Sequence, residues 1–456
     1  MADRVIGIDV GTNAVRAAEV VLGATPRLVR FGQVGLPSGS VHEGEVVDVA
    51  AVAAALRRLW AEAGFTSGRV RVGLASARVI VRVVELPLLS DPDTTSTLGL
   101  QLAEYVPLAP ESTVFDFQPL DTVESDEGPH RRLLLAAAHR DAVRPLVDAV
   151  AEAGLRLDAV DVIPAALARS LAPTPPPGGP GSGRVEGAEG GDEGPVDAIV
   201  SIGAGTTVVV VARAATPLFA RTVTSVAGRR VTEQIAAELS LSSEEAERRK
   251  RGVPDAGAEA HSPGVRVAAG PLTSELVAEV VDSFAYYGGQ PGALSVGRVL
   301  LTGGGSLFEG LGELLEARLG LPVTAADPLG DVELGDLGFE PEDLPFLSPY
   351  LSAALGVALG GGRTKAKRID LSPARSSGRA SRRPLIAGAA AALLLLGTGA
   401  FHLQRAGMIG SEQAAAAAIR AEITALRTVD ADAGAESAER TPATLRQIIE
   451  SARGRD

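Results

Sequence analysis

A strand–glycine turn–strand unit occurs twice in this sequence and limits the folds that the chain can adopt. Residues 4–9 (RVIGID) are a mostly apolar run ending on an acid, and the turn 11–13 (GTN) separates them from the strand-like run 15–20 (VRAAEV). Residues 196–200 begin the pattern again, followed by the turn 201–207 (SIGAGTT) and the run VVVVAR. Helical and strand periodicities alternate after each unit, so the sequence predicts an α/β protein built from two similar halves.

The two halves are divided by residues 172–195, a Pro/Gly-rich acidic segment without large apolar side chains. Such a segment can bury nothing, so it is predicted to be a flexible linker. The chain has no cysteine and five scattered histidines. This composition excludes disulfides, cysteine-based metal sites and thiol nucleophiles, and it offers no HExxH spacing for a metal.

Charge is distributed unevenly along the chain. The formal net charge is −13, yet eight Lys and Arg side chains lie within residues 363–383. The first 362 residues are therefore strongly acidic and would repel nucleic-acid phosphates, so no nucleic-acid partner is expected.

An uncharged stretch, residues 385–403 (LIAGAAAALLLLGTGAFHL), follows the basic run directly. As a helix it is roughly 28 Å long, close to a bilayer core of roughly 30 Å, and we interpret it as a single membrane span. The alternative is a buried Ala/Leu-rich core helix. The positive-inside rule then places the N-terminal domain in the cytoplasm and residues 404–456 outside. The first residues, MADRVIGIDVG, lack the apolar core of a signal peptide.

Glycine turns let backbone N–H groups approach phosphate oxygens, and adjacent Thr hydroxyls donate further hydrogen bonds. Each turn alone is a weak signal, because Gly-Thr turns are also ordinary hairpin turns. A third turn, 302–305 (TGGG), follows the apolar strand 298–301 and precedes a helix. Together the three turns predict a nucleotide cleft between the halves.

The order and spacing of these turns resemble the phosphate 1, phosphate 2 and adenosine elements of the actin/Hsp70/hexokinase superfamily. Within it the chain resembles the PilM family of type IV pilus assembly over nearly all of residues 4–360. The stretches that carry the resemblance are IGIDVGTNAVRAAEV (6–20), VRVGLASARVIVRVVELPLL (70–89), AEYVPLAPESTVFDFQPL (103–120), AGLRLDAVDVIPAALARSL (153–171), SIGAGTTVVVV, VAGRRVTEQIAAELSLSSEEAERRKRG (226–252) and VLLTGGGSLFEGLGELLEARLGLPV (299–323).

This resemblance implies an actin-like two-domain fold with the inserted subdomain of PilM and FtsA. Domain I would comprise residues 1–68 and 158–171, the inserted subdomain 69–157 and domain II 196–362.

The resemblance also implies a site for ATP or ADP with Mg²⁺. The matching residues are Asp9, Gly11, Thr12 and Asn13 at phosphate 1, with Asp9 near the metal; Gly203, Gly205, Thr206 and Thr207 at phosphate 2; Glu247 and Lys250 for ribose and base; and Gly303, Gly304, Gly305 and Ser306 at the adenosine turn. The alternative for Glu247 and Lys250 is a solvated helix face. Relatives usually carry Asp where this chain has Ser201, and serine cannot act as a carboxylate, so we expect nucleotide binding without efficient hydrolysis.

The C-terminal part resembles PilN, the membrane partner of PilM, which begins with an Ile-Asn-Leu-Leu-Pro-like peptide that docks into PilM. Here the matching residues are Ile369, Asp370, Leu371, Ser372 and Pro373, with Asp370 and Ser372 departing from the pattern. The tail 404–456 is predicted to be helical or coiled coil and is too short for the ferredoxin-like domain of PilN.

The resulting expectation is a membrane-anchored assembly module of the pilus inner-membrane platform. Its expected partners are PilN/PilO-like proteins and the pilus ATPase. The alternatives are a GspL-like type II secretion component, an actin-superfamily ATPase or kinase, and an FtsA-like division protein.

Overall fold

The computed structural model describes residues 3–125, 128–172, 196–251, 263–290, 292–338, 343–361 and 368–373. The predicted linker beyond Ala172, the predicted span 385–403 and the tail 404–456 lie outside the described residues. Among the helices that are described, none has the length and apolar character needed to cross a bilayer.

The described residues form two large β-sheets with helices packed against them. The strands are β1 (Asp3–Val10), β2 (Ala14–Leu22), β3 (Arg27–Gly35), β4 (Val41–His42), β5 (Glu45–Val46), β6 (Arg69–Leu74), β7 (Val79–Pro87), β8 (Thr113–Ser125), β9 (Gly128–His139), β10 (Arg156–Val162), β11 (Val196–Ile202), β12 (Thr207–Arg213), β13 (Thr216–Val223), β14 (Val296–Thr302), β15 (Val323–Ala325) and β16 (Glu333–Leu334). The helices are α1 (Val49–Ala63), α2 (Asp91–Tyr105), α3 (Arg140–Glu152), α4 (Ile163–Leu171), α5 (Gly228–Leu239), α6 (Ser243–Lys250), α7 (Pro263–Gly288), α8 (Leu311–Leu319) and α9 (Leu344–Leu359).

The first sheet has the strand order β10-β6-β1-β2-β3-β16. Its two faces follow from the alternation of side chains along a strand. Ile6 and Ile8 of β1 pack with α1 and α3, whereas a side chain at Gly7, between them, would point at α9. The sheet is thus covered on both faces, and β10 forms one edge.

The second sheet has the order β15-β14-β11-β12-β13-β7-β9-β8. Strand β12 is buried along almost its whole length, as its Val-rich run predicts for a strand covered on both faces. Helices α7 and α8 pack on one face through Leu276, Val280 and Leu315. The β13–β7 junction is a single residue pair, Phe219 with Arg82, so two sheet segments meet there through a minimal link.

The pairing pattern corrects the extent of the inserted subdomain. Strand β6 pairs in parallel with both β1 and β10, so residues 69–74 belong to the first sheet. Helix α3 packs against α1 on the same sheet. The insertion consists of β7, α2, β8 and β9 around a separate core that includes Leu98, Leu102 and Phe117. The predicted range 69–157 is too wide, because alternating apolar residues in β6 and β7 do not reveal which sheet each strand joins.

Helix α9 lies unusually close to its neighbours. A Cβ built on Gly7 would be 2.3 Å from the Ala354 carbonyl oxygen, and one on Gly356 would be 1.9 Å from the Ala166 carbonyl oxygen. Only glycine permits these approaches. The two glycines therefore fix how α9 sits between β1 and α4.

We expect Gly356→Ala to lower the free energy of unfolding by about 1–3 kcal/mol, because the added methyl overpacks a backbone contact. Gly99→Ala is the matched control. Gly99 also lies inside a helix, but it is exposed and its Cβ would make only ordinary contact with Phe115 at 3.6 Å. The control should raise stability by about 0.5–1 kcal/mol through helix propensity. Thermal unfolding of both full-length variants measures the difference, and equal effects would contradict the packing argument.

Candidate functional site

The glycine turns of the two halves touch each other. Gly11 N donates to Ala14 O at 3.0 Å in the turn between β1 and β2, and Gly203 N donates to Thr206 O at 2.8 Å in the turn between β11 and β12. A Cβ on Gly205 would lie 2.2 Å from Thr12 Oγ1. The second turn can approach the first only because Gly205 has no side chain, so the glycine-turn backbones of both halves meet at one place.

The third turn completes the site from strand β14. Gly303 has a φ of 81°, a left-handed conformation that favours glycine. A Cβ there would lie 2.5 Å from the Ile202 carbonyl oxygen, so the turn runs directly beside the end of β11. Ser306 Oγ donates to Gly303 O at 2.7 Å and closes the turn. The three turns therefore border one cleft.

The cleft contains about 860 Å³ of space, part of it open to solvent. Most residues predicted for the nucleotide site line it: Asp9, Gly11, Thr12, Asn13, Gly203, Gly205, Thr206, Glu247, Lys250, Gly303, Gly304 and Gly305. Ser201 lines it as well.

Two predicted residues are not among the residues that line the cleft. Thr207 is fully buried in β12 and its Oγ1 donates to Val226 O at 3.2 Å. Its hydroxyl therefore fixes the chain before α5 instead of facing a ligand. Ser306 uses its hydroxyl inside its own turn. In both cases a backbone carbonyl takes the hydrogen bond that the sequence interpretation assigned to nucleotide.

Glu247 and Lys250 lie on α6 and pair with each other. Lys250 Nζ donates to Glu247 Oε2 at 2.6 Å, to Thr232 Oγ1 at 2.7 Å and to Gly228 O at 2.9 Å. An ammonium group has three donors, so all are in use. The pair is partly buried and lines the cleft, so it does not lie on a solvated helix face. Lys250 can contact a ribose or base only if it loses one of these three hydrogen bonds.

Burial and pairing shift both groups. Burial lowers the pKa of Lys250 despite the attraction of Glu247. Burial acts to raise the pKa of Glu247, but Lys250, Thr232 and Arg251 together outweigh it and hold that pKa below its ordinary value. Glu247 is thus an ionised partner of two cations and has little capacity to act as a base near neutral pH.

Three further side chains in the cleft were not predicted from the sequence. Arg16 Nη1 donates to Asp9 Oδ2 at 3.2 Å, and its guanidinium lies 5.1 Å from the centre of the Tyr350 ring. Arg251 lies 5.8 Å from the same ring centre and pairs with Glu247. Tyr350 thus contacts an arginine from each half of the molecule, which is a cation–π arrangement.

The donor set does not fit the expected magnesium ion. Mg²⁺ in nucleotide sites binds one or two carboxylates together with phosphate oxygens. Asp9 is already paired with Arg16, and Ser201 supplies only a hydroxyl. Within the part of the chain that the structure describes, no cluster of three or more His, Asp or Glu side chains could hold a metal ion.

A second site lies at the β10 edge of the first sheet, where residues 368–373 are docked. Leu371 N donates to Val160 O at 2.8 Å, and Asp370 Oδ1 accepts from Val160 N at 3.0 Å and from Ser372 N at 3.0 Å. Ile369 and Leu371 are 1% and 0% exposed and belong to the main core of the first sheet. The segment therefore covers the open edge of β10 by backbone pairing and apolar burial.

An arginine cluster surrounds the start of this segment. Asp161 on β10 is 2% exposed, pairs with Arg169 and lies 3.6 Å from Arg71 Nη2. Burial lowers the pKa of the Arg368 guanidinium, while the nearby Asp161 acts in the opposite direction. One buried carboxylate is thus paired with Arg169 of α4, lies near Arg71 of β6 and acts electrostatically on Arg368 of the docked segment.

Residues 7–361 match the family of type IV pilus assembly protein PilM. A solved PilM-PilN type IV pilus biogenesis complex is 29% identical over 79% of this chain and 98% of that chain, with a TM-score of 0.65. Lower similarity is found to the ethanolamine utilization protein EutJ from Carboxydothermus hydrogenoformans (17% identity, 79% and 91% coverage, TM-score 0.45) and to MreB5 of Spiroplasma citri bound to ADP (13%, 71% and 92%, 0.39). Since the family match spans most of the chain, the protein has an actin-like α/β fold and belongs to the PilM family of type IV pilus assembly proteins.

Proposed function

We propose that this chain is a nucleotide-binding, membrane-anchored component of the type IV pilus inner-membrane platform. In this role it is a structural or switching module and not an efficient ATPase. The observation that carries the proposal is the convergence of three glycine turns, from both halves, on one cleft, together with the docking of residues 368–373 on strand β10. The family match favours the pilus platform over the type II secretion alternative.

The cleft supports binding of ATP or ADP better than hydrolysis. Backbone N–H groups in glycine turns suit phosphate oxygens. Hydrolysis needs a group that orients or deprotonates the attacking water. The carboxylates that line the described cleft, Asp9 and Glu247, are paired with cations, and Ser201 stands at the phosphate 2 position where relatives carry Asp. These contacts speak against the ATPase or kinase alternative.

We expect calorimetry on the full chain to detect ATP and ADP binding, with turnover well below about 1 s⁻¹. Gly11→Val should weaken binding about tenfold or more, because its Cβ would approach Arg16 Nη1 to 3.1 Å and Ala14 O to 3.2 Å within the phosphate 1 turn. Gly23→Val, in the turn after β2, is the control that should keep binding, since its nearest neighbour would be Thr25 O at 3.5 Å. Rapid steady turnover would contradict the non-enzymatic role.

The docked segment supports the PilN-like part of the proposal. Asp370 stands where the related peptides usually carry Asn, yet its Oδ1 accepts two backbone N–H bonds, as an amide oxygen could. The apolar positions on either side of it, Ile369 and Leu371, are buried as the family peptide requires. We therefore propose that the chain carries its own PilN-like docking peptide, joined in cis to the PilM-like domain.

Two substitutions at Asp370 test this docking. Asp370→Asn keeps an acceptor oxygen and should keep slow hydrogen exchange at Val160 and Leu371. Asp370→Leu leaves the buried Val160 N–H without an acceptor, which costs about 1–3 kcal/mol, and should accelerate exchange at both amides. Exchange measured by mass spectrometry on the full chain distinguishes the two. Similar protection in both variants would mean that the Asp370 acceptor does not hold the segment.

The anchoring part of the proposal rests on the uncharged stretch 385–403 and the basic residues 363–383 before it. If this stretch spans the inner membrane, the positive-inside rule places the nucleotide cleft in the cytoplasm and residues 404–456 outside, where PilN/PilO-like platform proteins are the proposed partners. The pilus ATPase is the proposed partner on the cytoplasmic side.

An export-dependent reporter enzyme tests the topology. A reporter fused after Asp456 should be active. A reporter that replaces the residues from Arg363 onward should be inactive, because the side of the span that carries the basic residues 363–383 is expected to stay in the cytoplasm. The opposite pair of activities would show an inverted chain, and inactivity at both positions would show that the stretch does not cross the membrane.

A further inference from the structure

The charges of the cleft are not those of a site built around a divalent cation. Among the described residues that line it, Arg16, Lys250 and Arg251 are cationic and Asp9 and Glu247 are acidic. The lining is therefore net positive. Both acids are committed, since Asp9 pairs with Arg16 and Glu247 pairs with Lys250 and Arg251. A magnesium ion would meet few available carboxylate oxygens and an excess of positive charge.

Arg16 is placed where phosphate is expected. Its Nη1 is 3.1 Å from the position that a Cβ on Gly11 would take, so the guanidinium lies directly over the phosphate 1 turn. Gln33 Oε1 accepts from Nε at 2.7 Å, Asp9 accepts from Nη1, and the guanidinium carbon lies over the Tyr350 ring, 5.1 Å from its centre. These contacts hold the planar group in one orientation before any ligand arrives. An arginine fixed in this way suits phosphate, which it can bind through two N–H groups.

Ser201 stands where a carboxylate would require a metal ion between itself and the phosphate oxygens. It lines the cleft at the end of β11, beside Thr302 of β14. A carboxylate at this position would repel phosphate oxygens unless a cation lay between them. A serine does not repel them, and it can donate a hydrogen bond.

We infer that the net positive lining of the cleft, with Arg16 over the phosphate 1 turn, takes the place of a magnesium ion at the phosphates of the nucleotide, so that nucleotide binding to this chain is independent of divalent metal. The inference rests on the proposed nucleotide binding and specifies its chemistry. It also explains why the chain can carry Ser201 in place of the phosphate 2 carboxylate and still bind nucleotide. That carboxylate helps to hold a metal ion, and here positive charge is supplied by protein side chains such as Arg16.

Calorimetric titration of the full chain with ADP and with ATP, in buffer with excess Mg²⁺ and in buffer with EDTA, tests this inference. The dissociation constants in the two buffers should differ by less than about threefold. Arg16→Gln should weaken binding about tenfold or more in EDTA, because a charge-assisted pair with phosphate is lost. Arg16→Lys keeps the charge and should retain more of the affinity than Arg16→Gln. Unchanged thermal unfolding of both variants shows that they are folded.

The second part of the experiment uses a variant that should make nucleotide binding dependent on Mg²⁺. Ser201→Asp introduces a carboxylate beside the phosphates, so binding should become at least about tenfold weaker in EDTA than with Mg²⁺. Ser201→Asn, of similar size and uncharged, should leave the two buffers equivalent. Strong binding with Mg²⁺ and at least tenfold weaker binding in EDTA for the native chain would overturn the inference and leave the proposed function standing. Failure to bind nucleotide in either buffer would overturn the proposed function itself.

Discussion

Most of the architecture depends on the close packing of α9 against the first sheet. Gly7 in β1 and Gly356 in α9 remove the side chains that would hold these backbones apart. Because the helix lies so near, its N-terminal half reaches the cleft, where Pro349 accepts from Gly303 N at 3.2 Å and Tyr350 stacks on Arg16. Thr302 Oγ1 and Ser352 Oγ are 2.8 Å apart, which connects the helix to the end of β14. One helix thus contacts both sheets, and two glycines determine its position.

A second constraint on the fold is the edge of the first sheet at β10, which a few residues are enough to cover. An edge strand presents unpaired N–H and C=O groups that can recruit another chain. Here Val160 has both groups satisfied by residues 370 and 371, one through a carboxylate oxygen and one through a backbone N–H. The apolar neighbours Ile369 and Leu371 enter the core of the first sheet. A short segment can therefore dock firmly because its few residues combine edge pairing with deep burial, each fully buried Ile or Leu contributing about 1.5–3 kcal/mol.

The sequence predicted the periodic elements well and the long-range contacts poorly. The two strand–turn–strand units, β1–β2 and β11–β12, follow from local patterning. Arg16 could also have been found, since a hairpin turning at residues 11–14 pairs Asp9 with Arg16. Tyr350 could not, because it comes from α9, which is apolar on all sides and contains an internal proline, and no local pattern relates it to residue 16. Thr207 looked like a ligand because a Thr in a glycine turn gives no sign of whether its hydroxyl faces outward or, as here, a backbone carbonyl.

The two sites share one continuous element. Strand β10 carries Val160, which binds the docked segment, and it leads directly into α4, whose first residue, Ile163, lines the cleft. Asp161 lies between them and is fixed by its ion pair with Arg169 on α4. Interior packing of this density transmits a displacement and does not absorb it. A movement of α4 that accompanies a change at the cleft would therefore shift the strand on which residues 369–371 are paired. The proposed switching role needs a physical route from nucleotide to anchor. Strand β10 with α4 offers such a route, because Val160 and Ile163 lie three residues apart along the chain and the Asp161–Arg169 ion pair joins the strand to the helix.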